Sequence, residues 1–198
     1  MSWTPSSALQ NPRLLKLALA ERARRDLERL QNDVSARYAG YRDRPMEFVR
    51  EVLRADPWIA QEAILWTLAS EPRVTVRSCN GSGKTTVAAW SAWWFLFSRP
   101  GSVVITTAPT WRQVADLLWR RIRESHIRAR LAGRCLTTTL DLGAHWYAKG
   151  FSTDEEVNFQ GPHSAAGILI IGDEASGLPE WFLRAAMGLM TQEDAKLL

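Results

Sequence analysis

One short segment, placed between a predicted strand and a predicted helix, constrains the fold of this chain more than any other feature of its sequence. The β-branched stretch Val74–Arg77 predicts a strand, and the apolar run Thr85–Phe97 predicts a helix. The residues that join them read Ser78-Cys79-Asn80-Gly81-Ser82-Gly83-Lys84-Thr85-Thr86. Glycines allow backbone N–H groups to approach an anion closely, and a helix N-terminus carries a partial positive charge. The segment therefore predicts a loop that binds the phosphates of a nucleoside triphosphate.

Two side chains of this loop match the needs of ATP bound with Mg²⁺. Lys84 can reach the β- and γ-phosphates, and the Thr85 hydroxyl can ligate the metal. The usual form of such a loop begins with glycine, and Ser78 stands at that position here. An ordinary glycine-rich turn is the alternative interpretation. The predicted strand before the loop and the predicted helix after it favour the nucleotide site.

A pair of carboxylates follows another predicted strand. The apolar run Ile168–Ile171 predicts a strand that is buried on both faces, and Asp173 and Glu174 come just after it. Asp173 can hold Mg²⁺ through water opposite Thr85, and Glu174 can polarise the attacking water. Acidic residues at strand ends are common, so it is their occurrence together with the phosphate loop that predicts ATP hydrolysis.

Three further features of the sequence are open to more than one interpretation. Gln61 offers an amide that could hydrogen-bond the adenine edge, and an exposed glutamine on a helix surface is the alternative. Thr107-Ala108-Pro109-Thr110 ends a predicted strand at the sheet edge where ligands bind in open α/β folds, whereas a helix cap accounts for its last residue. The tryptophans of the helix after the phosphate loop are predicted to lie in the core, and a stacking platform is the alternative: Trp90, Trp93 and Trp94.

The basic residues are concentrated in two stretches of the chain. Residues 13–50 carry a net charge of +4 and residues 112–134 carry +5, whereas residues 135–198 carry −6. The second basic stretch follows Trp111 and contains Trp119, so this helix could contact nucleic acid through its arginines and aromatic rings. A solvated arginine face on a helix that a tryptophan anchors is equally compatible with the pattern. Charge therefore suggests an anionic partner on one side of the molecule without deciding the matter.

The chain before the phosphate loop is predicted to be helical. Apolar residues at spacings of three and four predict a helix over 11–38, and 46–54 predicts a second, short helix. Asp56 and Pro57 are typical of a helix N-terminus, with Asp56 as the N-cap. This third helix is predicted to end near Ala69.

After the phosphate loop, predicted strands and helices alternate. A strand is predicted at Val103–Thr107. A helix follows, which begins at the capping box Thr110-Trp111-Arg112-Gln113 and ends at Gly133. The remaining predicted elements are a hairpin or two edge strands at Leu136–Leu140 and Trp146–Phe151, a helix at Pro179–Met190, and the start of a strand at Lys196–Leu198. This alternation predicts an α/β fold with a mostly parallel sheet flanked by helices. We expect a basic helical region at 1–55 and a P-loop domain at 56–198.

The sequence carries no sign of a membrane-spanning or secreted chain. No apolar run reaches the roughly 20 residues that cross a bilayer, and the N-terminal stretch lacks the pattern of a signal peptide. Cys79 and Cys135 lack the spacing of a metal site or of a disulfide framework, which indicates a reduced, intracellular setting. His126, His145 and His163 also lack ligand spacing, so the cofactors expected are ATP and Mg²⁺.

From about Asp56 to its end, the chain resembles the ATPase domain of the large terminase subunit of tailed bacteriophages. The motifs that carry the resemblance are Asp56-Pro57-Trp58 with Gln61, Val76-Arg77-Ser78 before the phosphate loop, Thr107–Gln113, Phe151-Ser152-Thr153, Gly161-Pro162-His163 and Ile171–Pro179. Terminases also tolerate the loss of the first loop glycine, as at Ser78. The resemblance implies an ASCE-type, RecA-like P-loop sheet preceded by a helical region.

The same resemblance implies a motor that couples Mg-ATP hydrolysis to translocation of double-stranded DNA into a preformed capsid. Such motors work in the host cytoplasm as homo-oligomeric rings at the portal protein, with a small terminase subunit as a further partner. Some terminases carry an arginine four residues before the loop lysine, where this chain has Asn80, and Arg77 is near that position but not at it. Family members also have a coupling motif on the next strand and a C-terminal nuclease domain, and the sequence up to Leu198 contains neither. We therefore expect a truncated chain without nuclease activity.

Two other functions fit the same residues. A nucleic-acid helicase or another P-loop translocase is the first, because Thr107–Thr110 also resembles a helicase element, although the chain leaves no room for a second motor domain. The second is a truncated fragment that binds nucleotide or partners without turnover, because the coupling strand is missing.

Overall fold

A six-stranded sheet with helices on both faces forms the body of the protein. The computed structural model describes residues 12–143, 145–153 and 162–198. The helices are α1 (Pro12–Tyr38), α2 (Pro45–Glu47, continued by the π-helical turn Phe48–Val52), α3 (Ile59–Ser70), α4 (Lys84–Ser98), α5 (Trp119–Ala129, preceded by the π-helical segment Gln113–Leu118) and α6 (Glu180–Leu189). The strands are β1 (Val103–Ala108), β2 (Arg134–Cys135), β3 (Thr139–Gly143), β4 (Trp146–Ser152), β5 (Ile168–Gly172) and β6 (Ala195–Leu197). The predicted α/β fold class is confirmed.

The strand order is β2-β3-β4-β1-β5-β6, with β1 near the centre of the sheet. β1 pairs in parallel with β4 and with β5, and β5 pairs in parallel with β6. β2, β3 and β4 pair antiparallel, so the hairpin predicted for this region is present. The register sets Ala108 opposite Ser152 and Thr107 opposite Gly172, which brings the carboxyl ends of three strands to one edge. This is the edge at which open α/β sheets bind their ligands.

The helix that follows the phosphate loop, α4, is the most deeply buried element. Every residue from Val87 to Ser98 is buried, as expected of a helix that is apolar all round. The indole N–H groups of Trp93 and Trp94 donate to the carbonyl oxygens of Ile122 (3.1 Å) and Tyr41 (2.8 Å), so these large rings are buried without an unpaired donor. The prediction that the tryptophans of this helix are core residues is confirmed.

The alternate residues of β5 face two different cores, one on each side of the sheet. Ile168 and Ile170 pack in the cluster that contains Phe182 of α6. Leu169 and Ile171 pack in the larger cluster with α4. The strand is therefore buried on both faces, as its continuous apolar sequence predicts.

The strand predicted at Val74–Arg77 is not formed, and this prediction is wrong. Only one parallel bridge joins this part of the chain to the sheet, between Arg73 and Leu197. The amide of Val74 donates to the Leu197 carbonyl, and the Leu197 amide donates to the Pro72 carbonyl, each at 2.8 Å. Val76 and Arg77 pair with no strand among the described residues.

Two predicted helix ends lie elsewhere in the structure. Asp56 does not cap α3, which begins at Ile59 with Trp58 as its N-cap residue. The Gln61 side chain accepts a hydrogen bond from the Trp58 amide (3.3 Å), so an amide in the first turn replaces the expected carboxylate. Gly133 does not close the arginine-rich helix, because the chain leaves it earlier, at Arg130, which adopts the left-handed conformation (φ 50°). The capping box at the start of that helix is confirmed by reciprocal hydrogen bonds between Thr110 and Gln113.

The predicted strand Leu136–Leu140 is shifted. Residues 136–138 form a turn that is closed by a hydrogen bond from the Leu136 amide to the Thr139 carbonyl (2.7 Å), and β3 begins only at Thr139.

Gly133, although it does not end the helix, occupies a position that requires glycine. Its φ is 97°, and a Cβ there would lie 2.7 Å from the Leu142 side chain.

The second half of the N-terminal helix packs against the rest of the protein. Val34 and Tyr38 are buried in the same cluster as α4, and the Gln31 amide donates to the Leu142 carbonyl (3.2 Å). The predicted division at residue 55 stays a prediction, and residues 1–11 of the first part lie outside the described residues, as does Gly161 of the predicted motif. No helix within the described ranges is both long enough and apolar enough to cross a membrane.

A buried ion pair holds the end of α4 to the start of β6. Arg99 is only 3% exposed, its Nε donates to the Asp194 carboxylate at 2.6 Å, and its guanidinium lies over the Trp94 and Phe95 rings. We predict that Arg99→Met lowers the free energy of unfolding by roughly 1–3 kcal/mol, because Asp194 loses its buried partner and keeps only the more exposed Arg42. Urea unfolding followed by tryptophan fluorescence measures the change.

The matched control is Arg184→Met, which breaks an ion pair with Glu180 in which both side chains are more than three-quarters exposed. That change should stay below about 1 kcal/mol, because water screens exposed pairs. Equal losses in the two variants would contradict the structural role of Arg99.

Candidate nucleotide-binding site

The loop before α4 has the backbone geometry of an anion-binding turn. Gly81 and Gly83 have φ angles of 77° and 86°, which side-chain-bearing residues rarely adopt. Gly83 is also the N-cap residue of α4, and a Cβ at this position would lie 2.5 Å from the Gln61 amide nitrogen. The backbone conformation therefore requires glycine at 83, and a side chain there would also displace the Gln61 amide.

The loop also has amide donors that the fold does not use. The amides of Thr86 and Val87 donate to the Gly83 carbonyl, at 3.1 and 3.0 Å. For the amides of residues 81–85, no backbone carbonyl in the described part of the chain accepts a hydrogen bond. A row of unpaired N–H groups at the start of a 15-residue helix fits the oxygens of a polyphosphate.

Lys84 folds back over this loop. Its ammonium donates to the carbonyl oxygens of Ser78 and Cys79, both at 2.9 Å. The hydroxyls of Ser78 and Ser82 lie 2.7 Å apart across the loop, so the serine that replaces the usual first glycine forms a hydrogen bond that closes the turn. The ammonium charge is thus held beside the unpaired amides, where it can bind phosphate oxygens.

Thr85 and Asp173 meet although 88 positions separate them in sequence. The Thr85 hydroxyl donates to a carboxylate oxygen of Asp173 at 3.1 Å, which joins the first turn of α4 to the end of β5. Burial raises the pKa of Asp173 above its ordinary value, against the opposing effect of the Thr85 hydrogen bond. A hydroxyl and a carboxylate side by side are the hard oxygen donors that Mg²⁺ prefers, so the donor set fits this ion.

Glu174 follows directly in an unusual backbone conformation. Its φ and ψ of 58° and 50° are left-handed, a region that a glutamate rarely occupies. The side chain is exposed, unlike that of Asp173. Glu174 lines a cleft of about 490 Å³ that Ser78, Lys84 and Asp173 also line. The structure thus brings the two predicted catalytic residues, Lys84 and Glu174, to one cavity.

Gln61 lies behind the loop. It is 6% exposed, its amide nitrogen donates to the Gly83 carbonyl at 3.3 Å, and its oxygen accepts from the Trp58 amide. The alternative of an exposed helix-surface glutamine is therefore wrong. A role of Gln61 in binding adenine stays a prediction, and in this structure its side chain supports the loop from α3.

The end of β1 is hydrogen-bonded to the ends of both neighbouring strands at the carboxyl edge of the sheet. The Thr107 hydroxyl donates to the Phe151 carbonyl (2.8 Å), and its own carbonyl accepts from the Asp173 amide (2.9 Å). Trp119 is fully buried and donates to the Thr106 hydroxyl, so it cannot stack on a nucleic acid. Trp111 is 48% exposed at the start of the arginine-rich segment.

One group of residues that line the cleft was not predicted from the sequence. Leu178, Phe182 and Leu183, from the loop and helix after β5, also line the cleft. Arg77 also lines the cleft, and the sequence placed it near the loop without a role. No local pattern marks these residues, because their position depends on how α6 packs against the sheet.

The two cysteines should differ sharply in reactivity. Cys79 is exposed in the phosphate loop, whereas burial raises the pKa of Cys135 to about 11. At pH 8 only roughly one thousandth of Cys135 is then thiolate, so an aromatic disulfide reagent should modify about one thiol rapidly. Cys79→Ser should abolish this rapid phase and Cys135→Ser should leave it. A rapid phase that persists in Cys79→Ser would contradict the assignment.

Asp173 should make the protein less stable at neutral pH. The pKa of Asp173 is raised on folding, so the folded protein holds the carboxyl proton more tightly than the unfolded chain does. The stability that this bound proton contributes is fully present below the ordinary carboxyl pKa and is lost as pH rises through the raised value. We predict that Asp173→Asn raises the thermal unfolding midpoint at pH 7.5 without Mg²⁺, and that this gain shrinks toward pH 4. Thermal melts across this pH range test it, and a variant that is less stable at pH 7.5 would contradict it.

The architecture matches a protein of known structure. The sequence matches no protein-family model and no curated protein. The structure is similar to the ATPase domain of the large terminase of a Thermus phage, with a TM-score of 0.66 over 78% of this chain and 68% of that one, at 24% sequence identity. The chain therefore has the P-loop fold of a phage large terminase ATPase domain, as the sequence motifs predict.

Proposed function

We propose that this chain is the ATP-hydrolysing motor of phage DNA packaging, the large terminase subunit, which couples Mg-ATP hydrolysis to translocation of double-stranded DNA into the capsid. The observation that carries the proposal is the meeting of Thr85 and Asp173 at 3.1 Å beside the phosphate loop. Lys84 and Glu174 share the same cleft. The likeness in fold to a phage terminase ATPase domain supports the same assignment.

The phosphate loop binds the triphosphate through its backbone. The unpaired amides of residues 81–85 and the N-terminus of α4 orient the phosphate oxygens, and Ser78 to Thr86 surround them. Lys84 moves from the carbonyls of Ser78 and Cys79 to the phosphates, which offer it a stronger, charged acceptor. These groups stabilise the negative charge that builds up as the terminal phosphate leaves.

Thr85 and Asp173 hold the metal side of the site. An Mg²⁺ ion held by these two side chains would supply positive charge to offset that of the phosphates. It would also offset the electrostatic cost of the Asp173 carboxylate, whose pKa is raised mainly by burial. We assign Asp173 to the metal side of the site and not to proton transfer.

Glu174 is the general base. Its carboxylate accepts a proton from the attacking water and so aligns that water with the terminal phosphate. The residue is exposed at the mouth of the cleft, one position beyond the metal-side carboxylate. Its left-handed backbone turns the side chain away from the direction that β5 would give it.

Duplex DNA is the proposed partner on the basic side. Arg112, Arg120, Arg121 and Arg128 are exposed along the segment that leads into and through α5. Phosphate contacts from arginines give affinity without reading sequence, which suits translocation along any DNA. In the host cytoplasm the full protein would work as a homo-oligomeric ring with the portal protein and the small terminase subunit.

We expect Glu174→Gln to lower the steady-state rate of Mg-ATP hydrolysis by about 100- to 10,000-fold while nucleotide binding is retained, because only the proton acceptor is lost. The assay compares wild type and variant with duplex DNA, with single-stranded DNA and without DNA. Glu180→Gln, on the exposed face of α6, is the matched control and should hydrolyse ATP at the wild-type rate.

Each outcome separates the proposal from its rivals. Hydrolysis that duplex DNA stimulates and that Glu174→Gln abolishes supports the packaging motor. A response to single strands alone favours a helicase. ATP binding without hydrolysis by the wild type would contradict the motor and favour a nucleotide-binding fragment.

A further inference from the structure

We propose that the contact between Gly177 and Pro109 positions Glu174, and that this contact connects the hydrolytic carboxylate to the start of the arginine-rich segment. The inference rests on the proposed function, because it assigns a positioning role within that site. Neither residue lines the cleft beside the phosphate loop, so we assign both an effect through the backbone that carries Glu174.

Gly177 packs against Pro109 with no room for a side chain. A Cβ at 177 would lie 2.6 Å from Cγ and 3.2 Å from Cβ of Pro109. Non-bonded carbon atoms do not approach to 2.6 Å, and a proline ring cannot rotate away as a long side chain can. Gly177 has no positive φ that would itself demand glycine. The absence of a side chain at 177 is therefore explained by Pro109.

Gly177 is tied directly to the backbone of Glu174. Its amide donates to the Glu174 carbonyl at 2.9 Å, which closes the single 3₁₀ turn Ala175–Gly177. Glu174 enters this turn in the left-handed conformation, which a glutamate adopts only where its surroundings impose it. A displacement of Gly177 would therefore move the residue whose geometry is already strained.

Leu178 fastens the other side of the same turn. A Cβ on Gly172 would lie 2.8 Å from its side chain, and Leu178 packs in the core cluster that contains Phe182. The turn is thus held between Leu178, which is anchored on the sheet, and the Pro109 contact. Of these two restraints, only the one at Pro109 comes from outside the chain segment of β5 and α6.

Pro109 belongs to the segment that begins the arginine-rich helix. Thr110, the next residue, forms the reciprocal capping hydrogen bonds with Gln113. On the other side, the Thr107 carbonyl accepts from the Asp173 amide at 2.9 Å. The chain from 107 to 113 therefore contacts the carboxylate-bearing turn at two points, and a shift of the helix start is transmitted to Glu174.

Gly177→Ala tests the contact. We expect kcat for Mg-ATP hydrolysis to fall at least tenfold, because a misplacement of about 1 Å at a reacting group costs up to 100-fold. The KM and the dissociation constant for a fluorescent ATP analogue should stay within about twofold of wild type, because the phosphate loop is untouched. Gly188→Ala is the matched control, since a Cβ there meets nothing within 4 Å, and it should leave kcat unchanged.

Pro109→Ala in the same chain should rescue the activity. This change removes Cγ and leaves only the 3.2 Å approach, which a shift of a few tenths of an ångström relieves. The double variant should recover kcat to within about threefold of wild type. This rescue separates positioning from a general loss of stability, which a second destabilising substitution would deepen.

Three results would overturn the inference. The first is a Gly177→Ala protein with wild-type kcat, and the second is a double variant that binds nucleotide but stays at least tenfold impaired. If Gly177→Ala fails to fold, the kcat of the double variant alone tests the inference. Recovery to within about threefold of wild type supports it, and an impairment of at least about tenfold contradicts it. The third is a wild-type protein that does not hydrolyse ATP, which overturns the proposed function as well. This failure is distinguished from the other two because it is observed without any substitution.

Discussion

The burial of α4 is the constraint on which the rest of the structure depends. Its residues from Val87 to Ser98 contact the larger core on all sides, and each fully buried aromatic side chain contributes roughly 1.5–3 kcal/mol relative to exposure. A helix fixed in this way holds its N-terminus at one place on the sheet edge. The phosphate loop is therefore positioned by packing that lies behind it, and Gln61 supports it from α3.

Electrostatics at the sheet edge follows from this placement. Once α4 is fixed, Thr85 reaches the end of β5, and Asp173 is drawn into a partly dry environment that disfavours its charge. The protein accepts this penalty at a position where a cation can remove it. Glu174, one residue further, stays in water, so adjacent carboxylates have different surroundings and can take different roles.

The carboxyl edge of the sheet also joins parts of the chain that are remote in sequence. Thr107 binds the backbone of Asp173, and Pro109 abuts Gly177, so the start of the arginine-rich segment touches the turn that carries Glu174. Contacts of this kind are a physical route by which a displacement at one of these segments can reach the other. The left-handed backbone of Glu174 makes that turn sensitive to small displacements.

The sequence by itself determined the fold class, and it predicted the phosphate loop and its pairing with Asp173-Glu174, because these depend on local periodicity and on glycine, lysine and carboxylate chemistry. It also predicted the buried tryptophans of α4 from an unbroken apolar run. Only the tertiary structure decided that Val74–Arg77 forms no strand, because a strand requires a paired neighbour and the described residues pair with this part of the chain only at Arg73. It likewise decided that Gln61 is buried and that Gly177 meets Pro109, because such contacts join residues that no local pattern relates.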